Sequence, residues 1–306
     1  MARTRSRLIR HGLRGWLIVL AASVSLCGAL WPSTGFTRDR HILWAVQGEH
    51  NTVYLLGSIH VLRAQDGGLP QEAQEAYQDA EQLVMELDMD DLLANPMAMA
   101  ATTQRLALLP EGQSLRGVLG SDYAAVQAHA QTLGLDLGLL DRFQPWFVAT
   151  AMLQAELAKR GFSPELGVEE TLAKRAIADH KPIRGLETVE QQLGLLAGLP
   201  MSEQKRFLLM TIDEMDDFDQ DLAQMLAAWR AGDTDELAKV LSEGFDRFPE
   251  LYRPLTEDRN RAWAGEIARL LDDNDDYLVV VGALHLVGRN SVVDLLEKRG
   301  FKVTQH

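Results

Sequence analysis

Apolar residues along this chain follow one period at the ends and another in the middle. The runs "HILWAVQ" (41–47) and "NTVYLLGSIHV" (51–61) are short and rich in β-formers, and they flank "QGEHN", whose Gly48 and Asn51 suit a turn. They predict a hairpin. "PQEAQEAYQDAEQ" (70–82) predicts a helix with Pro70 at its start, and "LVMELD" (83–88) predicts a strand that ends in acids. Residues 42–88 therefore read as β-β-α-β.

Beyond them the apolar spacing becomes helical. "PWFVATAMLQAELAKRG" (145–161) closes on Gly161 in a C′ position, and "GVEETLAKRAIADH" (167–180) follows. "LPMSEQKRFLLMTIDEM" (199–215) and "DLAQMLAAWRAGDTDELAKVLSEGF" (221–245) continue the pattern, which "KPIRGLE" (181–187) interrupts as a short strand ending at Glu187. The acidic run "DEMDDFDQD" (213–221) reads as a solvated face. The C-terminus returns to helix, strand, helix, strand: "RNRAWAGEIARLLDD", "YLVVVGALHL", "NSVVDLLEKRG" and "FKVTQ". An unbroken "LVVV" suits a central strand covered on both faces. The expected architecture is α/β, with α+β also compatible: a mixed central sheet flanked by helices, with a large helical insertion over about residues 90–250.

Charge and cysteine usage narrow the function. Asp and Glu number 44 against 30 Lys and Arg, a net charge of −14, which excludes a general nucleic-acid binder. Five arginines (Arg3, Arg5, Arg7, Arg10, Arg14) and no acid occupy residues 1–35, and the apolar run "GWLIVLAASVSLCGALW" follows the arginines. This is the pattern of a signal peptide, or of an uncleaved signal anchor, leaving a domain over residues 36–306. The expected location is outside the cytoplasm, in a bacterial periplasm or anchored at the inner membrane, with membrane contact only through that segment. Cys27 is the single cysteine, and Leu26 before it is too bulky for a lipid-attachment site. Removal of the leader leaves no thiol, so a metal would be held by His and carboxylate side chains alone.

The candidate chemistry sits in a repeated phrase. "GSIH" (57–60) and "GALH" (282–285) both end strongly apolar runs. Gly57 and Gly282 are expected at sharp turns, where glycine tolerates angles that other residues resist. His60 and His285 would then stand at one edge of an open sheet, where strand ends collect functional groups, with Glu86 beside them. Two imidazoles and a carboxylate suit a divalent metal with open positions. Glu187 reads as a second carboxylate of the site or a helix cap. Arg259 reads as an oxyanion or carboxylate partner, or as a pin between helices. Arg289 has a weaker version of the same role. Glu169 reads as a first-turn helix acid. His50, His129 and His180 read as surface or packing residues. Nucleophile-elbow, Walker A, Rossmann and His-Glu-x-x-His motifs are absent.

From "LWAVQGEHNTVYLLGSIHVL" to "GALHLVGRNSVVDLLEKRGFKV" the chain resembles the TraB/GumN family, which includes GumN-like proteins, pheromone-shutdown proteins and the animal Tiki proteases. "GSIH", "VMELD" (84–88) and "GALH" match its hallmarks in order, and "KPIRGLET" and "RNRAWAGEI" resemble further blocks. The resemblance implies His60, Glu86 and His285 as metal residues, with Glu86 as ligand or base, and manganese or cobalt as the favoured ion; zinc is compatible. It implies a divalent-metal-dependent hydrolase, foremost a peptidase acting on peptide or protein. Two rivals stand beside that reading: a protein that sequesters a peptide without cleaving it, and a metal-free hydrolase using His60 and Glu86 as acid and base.

Overall fold

The structure is a computed structural model and describes residues 40–215, 218–242 and 249–306. The expected leader lies outside the described residues, as do Asp216 and Asp217 of the acidic run. A six-stranded mixed sheet forms the centre, with strands β1 (Leu43–Gln47), β2 (Thr52–Ser58), β3 (Gln82–Met85), β4 (Ile183–Gly185), β5 (Tyr277–Gly282) and β6 (Val303–Gln305). Their spatial order is β4-β3-β5-β2-β1-β6. Antiparallel pairing of β1 with β2 makes the expected hairpin, and β6 pairs antiparallel with β1 on the outside. β2, β5, β3 and β4 run parallel to one another.

β5 is the strand that the continuous Val/Leu run predicts. All six of its residues are buried, and it pairs with β2 on one side and β3 on the other. A parallel strand covered on both faces has no solvated side for polar residues, hence the lack of alternation. The helical insertion is present, and β4 divides it. Helices including Met89–Ala94, Pro96–Ala107, Pro145–Lys159 and Val168–Ala178 connect β3 to β4. Val189–Ala197, Met201–Glu214, Phe218–Arg230, Thr234–Ser242 and Asp258–Leu270 lie between β4 and β5. Gly161 has a φ of +80° directly after the C-cap of Pro145–Lys159, a left-handed helix stop that glycine adopts at no steric cost.

In the acidic run, Asp213 and Asp219 are exposed as expected, but Asp221 is buried. Its side chain points to the packed side of an amphipathic helix, which composition alone does not reveal. Among the described residues no helix is long and apolar enough to cross a membrane.

Candidate active site

Four adjacent parallel strands end at one edge, and each delivers a polar residue there. Glu187 follows β4, Glu86 follows β3, His285 follows β5 and His60 follows β2. The register pairs Met85 with Val280 and Ser58 with Gly282, so the last residues of β3, β5 and β2 lie nearly level. The fifth candidate, Arg259, comes from the first turn of the Asp258–Leu270 helix, just after a π-helical turn at Arg253–Glu257. Pro254 in that turn offers no amide hydrogen to the helical ladder, and wider turns of this kind recur at functional sites.

Gly282 is where the cluster meets. A methyl group on its Cα would lie 3.2 Å from Glu86 Oε1, 3.5 Å from His60 Nε2 and 3.7 Å from His285 Cδ2. Its φ is −51°, and Gly57 is not among the residues with positive φ. The turn explanation for both glycines is therefore corrected: close approach requires them. A side chain on Gly57, which lies within β2, would meet Ile42 Cγ2 at 2.2 Å.

Arg259 holds the acids. Its Nη2 donates to Glu86 Oε2 at 2.6 Å and to Glu187 Oε1 at 2.5 Å, and its Nε donates to Glu187 Oε2 at 3.0 Å. Gln192 donates to the same two carboxylates, at 3.0 Å and 2.9 Å. The Gly282 amide donates to Glu86 Oε1 at 2.7 Å. Burial alone would push the Glu86 carboxyl up; Arg259, the two histidines and this amide instead bring it down to about 2. Glu187 moves the other way, raised by burial and by Glu86 despite Arg259.

The two histidines are held differently. His285 is fully buried, and burial together with Arg259 lowers its pKa to about 3. Its neutral ring accepts at Nε2 from Arg259 Nη1 at 3.0 Å, which leaves Nδ1–H to donate to Asn260 Oδ1 at 2.6 Å. Trp263 packs against the ring, with centroids 4.5 Å apart. His60 donates Nδ1–H to Glu169 Oε1 at 2.5 Å, and Ser58 donates its hydroxyl to the same oxygen. Burial lowers the His60 pKa, but Glu169 more than offsets this and raises it to about 9. His60 Nε2 is buried without a hydrogen-bond partner, as is Glu169 Oε2.

His60, Glu86, His285, Arg259 and Glu187 thus lie together. The structure adds Glu169, Asn260, Ser58 and Gln192. Glu169 does occupy the first turn of its helix, as its position suggested, but its side chain is committed to His60. Only one signal in the sequence pointed to it, an acid at the start of a helix that the family resemblance covers. Arg289 is exposed, beyond the cluster. His129 contacts Met215, a packing role. Among the described residues, no group of three or more His, Cys, Asp or Glu side chains is arranged to enclose a metal ion. The guanidinium bonded to both Glu86 and His285 Nε2 is the physical reason two of the expected donors face a cation already present.

Comparisons with known proteins extend over the whole described sheet. The chain is 26% identical to an uncharacterized protein of Treponema pallidum (strain Nichols), over 92% of this chain and 87% of that one. It is 26% identical to the uncharacterized protein YbaP of Escherichia coli (strain K12), over 83% of this chain and 96% of that one. It is 24% identical to Metalloprotease TIKI2 of Danio rerio, over 96% of this chain and 68% of that one. No solved structure gives a significant match. The TraB/PrgY/gumN family model matches residues 42–305, from the first strand to the last, and the chain belongs to that family.

Proposed function

We propose that this chain is an exported, divalent-metal-dependent peptidase whose site comprises His60, Glu86, His285, Arg259 and Glu187. The convergence of His60, Glu86 and His285 beyond three neighbouring parallel strands carries this reading. The similarity to relatives named metalloproteases supports peptide or protein as the substrate.

The residues fit a divalent ion in donor type. His60 offers a buried Nε2 with no partner once its proton has left, and the neutral ring of His285 and the ionised Glu86 become donors when Arg259 gives up its bonds to His285 Nε2 and Glu86 Oε2. Manganese or cobalt is the expected ion, with zinc compatible. Bound there, it would acidify water or polarise a carbonyl. The protein's own groups prepare the rest. Glu169, itself held by the Ser58 hydroxyl, fixes the His60 ring through Nδ1, and Asn260 fixes the His285 tautomer, the orienting role that second partners of ligating histidines play. Arg259 keeps Glu86 ionised, as either a ligand or a general base must be.

Arg259 also carries a second reading. A guanidinium 3.0 Å from His285 and 2.6 Å from Glu86 supplies positive charge within the cluster, where it could stabilise an oxyanion while His60 and Glu86 exchange protons without a metal. Elemental analysis and titration with manganese, cobalt and zinc separate the two. The peptidase reading expects one equivalent bound, lost in both His60→Ala and His285→Ala, with chelator-sensitive peptide cleavage. Specific binding of none of these ions would overturn it, and chelator-resistant hydrolysis would move the assignment to the metal-free form.

A further inference from the structure

Beside the cluster lies a cavity of about 600 Å³ that has His60, Glu86 and Glu169 among its lining residues. This is the size of a pocket for a multi-atom ligand, roughly 300–1,000 Å³, and much more than one substrate carbonyl needs. Its other walls come from four helices already described: Met89–Ala94, Pro96–Ala107, Pro145–Lys159 and Val189–Ala197. Leu92, Met99, Phe147 and Leu193 face it, and each is only partly buried, so large apolar side chains are left incompletely covered around one concavity. Phe147 is held rigidly, stacked on Phe143 at 4.6 Å and edge-on to Trp146 at 5.8 Å.

We propose that this cavity is the substrate's specificity subsite, taking two or three apolar side chains of an extended peptide while the adjoining peptide bond reaches the His60–Glu86 end. The assignment of the cleaved bond rests on the peptidase reading; the binding of an apolar peptide does not.

Two observations favour a peptide over a hydrocarbon chain as occupant. Thr103, Gln104 and Gln154 line the cavity among the apolar residues, and the indole N–H of Trp146, another lining residue, is buried with no partner in the protein. A peptide main chain brings carbonyls and amides that can pair with such groups, whereas an acyl chain brings none and adds to the unpaired polar surface. Charge points the same way. The carboxylates of Glu86, Glu169 and Glu170 line the cavity, and Lys174 is already paired with Glu170 at 2.8 Å. Each of these acids is already paired and the lining, among the described residues, holds no lysine or arginine, so no free cation receives the anionic head of a fatty acid, which a neutral peptide segment does not need.

The test measures binding to the full chain by calorimetry with three probes: a blocked hexapeptide with a Leu-Phe centre, its Ser-Asn counterpart, and palmitate. Two variants accompany the wild type. Ala100→Trp fills the cavity from an exposed lining position, and Met99→Gln makes one wall polar without filling it. The Leu-Phe peptide should bind at least about tenfold more tightly than the Ser-Asn peptide, and both variants should weaken it by about tenfold with an unchanged circular dichroism spectrum. Equal binding of the two peptides, binding of neither, wild-type affinity in both variants, or tighter binding of palmitate would each overturn the proposal. Cleavage distinguishes the two levels. Selective binding without cleavage sinks the peptidase reading and leaves the subsite standing; equal cleavage of both peptides does the reverse.

Discussion

At the first Gly-x-x-His corner, His60 gives a hydrogen to Glu169 and sits at a pKa of about 9; at the second, His285 takes one from Arg259 and sits at about 3. Both rings follow apolar parallel strands that are neighbours in the sheet. His285 is wholly buried and His60 largely so, and burial by itself disfavours the charged imidazolium. The difference comes from one neighbour on each side: a carboxylate from a helix inserted after β3, and a guanidinium from the helix that leads into β5. A repeated motif sets where a histidine stands; the residue opposite its ring sets whether it carries charge. The cluster thereby joins a proton-rich imidazole and a proton-poor one across a carboxylate, the separation of roles that acid–base chemistry uses.

Removing Arg259 should break this contrast most severely. Arg259→Ala leaves Glu86 and Glu187 buried without their common counter-charge, and a loss of about 3–5 kcal/mol in urea unfolding is expected. Stability within about 1 kcal/mol of wild type would mean that the guanidinium is not what holds the two acids. The His285 pKa should rise in the same variant, read from its ring protons, since a repelling cation is gone.

Glu169→Gln addresses the other corner. The folded His60 pKa lies above the ordinary 6.5, so His60 contributes stability that is fully present below pH 6.5 and is lost as pH rises through about 9. That contribution is roughly 3 kcal/mol, and the variant should abolish it and flatten the stability profile across this window. His285 has the opposite sign. Its folded pKa is depressed, so its contribution is present above pH 6.5 and is lost as pH falls towards about 3, and Glu169→Gln should change that limb far less than the other, because His60 is only the least of the influences on His285. A metal-free sample keeps the two limbs interpretable, and a profile that changes equally on both sides would contradict the separate control of the two corners.

The glycines give the smallest and most discriminating effect. Gly57→Ala forces a methyl against Ile42 within the sheet and should cost about 1–3 kcal/mol. Gly282→Ala meets only side-chain atoms at 3.2 Å or more, so it should cost less stability and yet disturb the cluster more. Thermal unfolding paired with metal titration reads both. The same rank order in the two assays would contradict the division of labour between the glycines.

Much of this arrangement was legible in the chain. β1, β2 and β5 stand out because β-formers gather in short runs, and the helices of the insertion because their apolar spacing is regular. His60, Glu86 and His285 could be placed at strand ends for the same reason. The partners were not legible. Glu169 lies 109 residues beyond His60, and an acid in the first turn of a helix already has an adequate local explanation. Asn260 is one polar residue in a polar stretch, and Pro254 in the turn before it marks an irregularity without saying which side chain it aims. The glycines were misread because a need for positive φ and a need for empty space select the same residue. Only the neighbouring atoms separate those causes.

The position of β5 has a consequence for the timing of biosynthesis. It lies between β2 and β3 although it is made about two hundred residues after them, so early in translation those two strands have no strand to join them. A ribosome that has not passed residue 285 has produced neither His285 nor Gly282, the residue around which the cluster closes. No partial product can therefore hold a finished site. The cluster is absent from every nascent chain, and it closes only when nearly all of the polypeptide has been delivered.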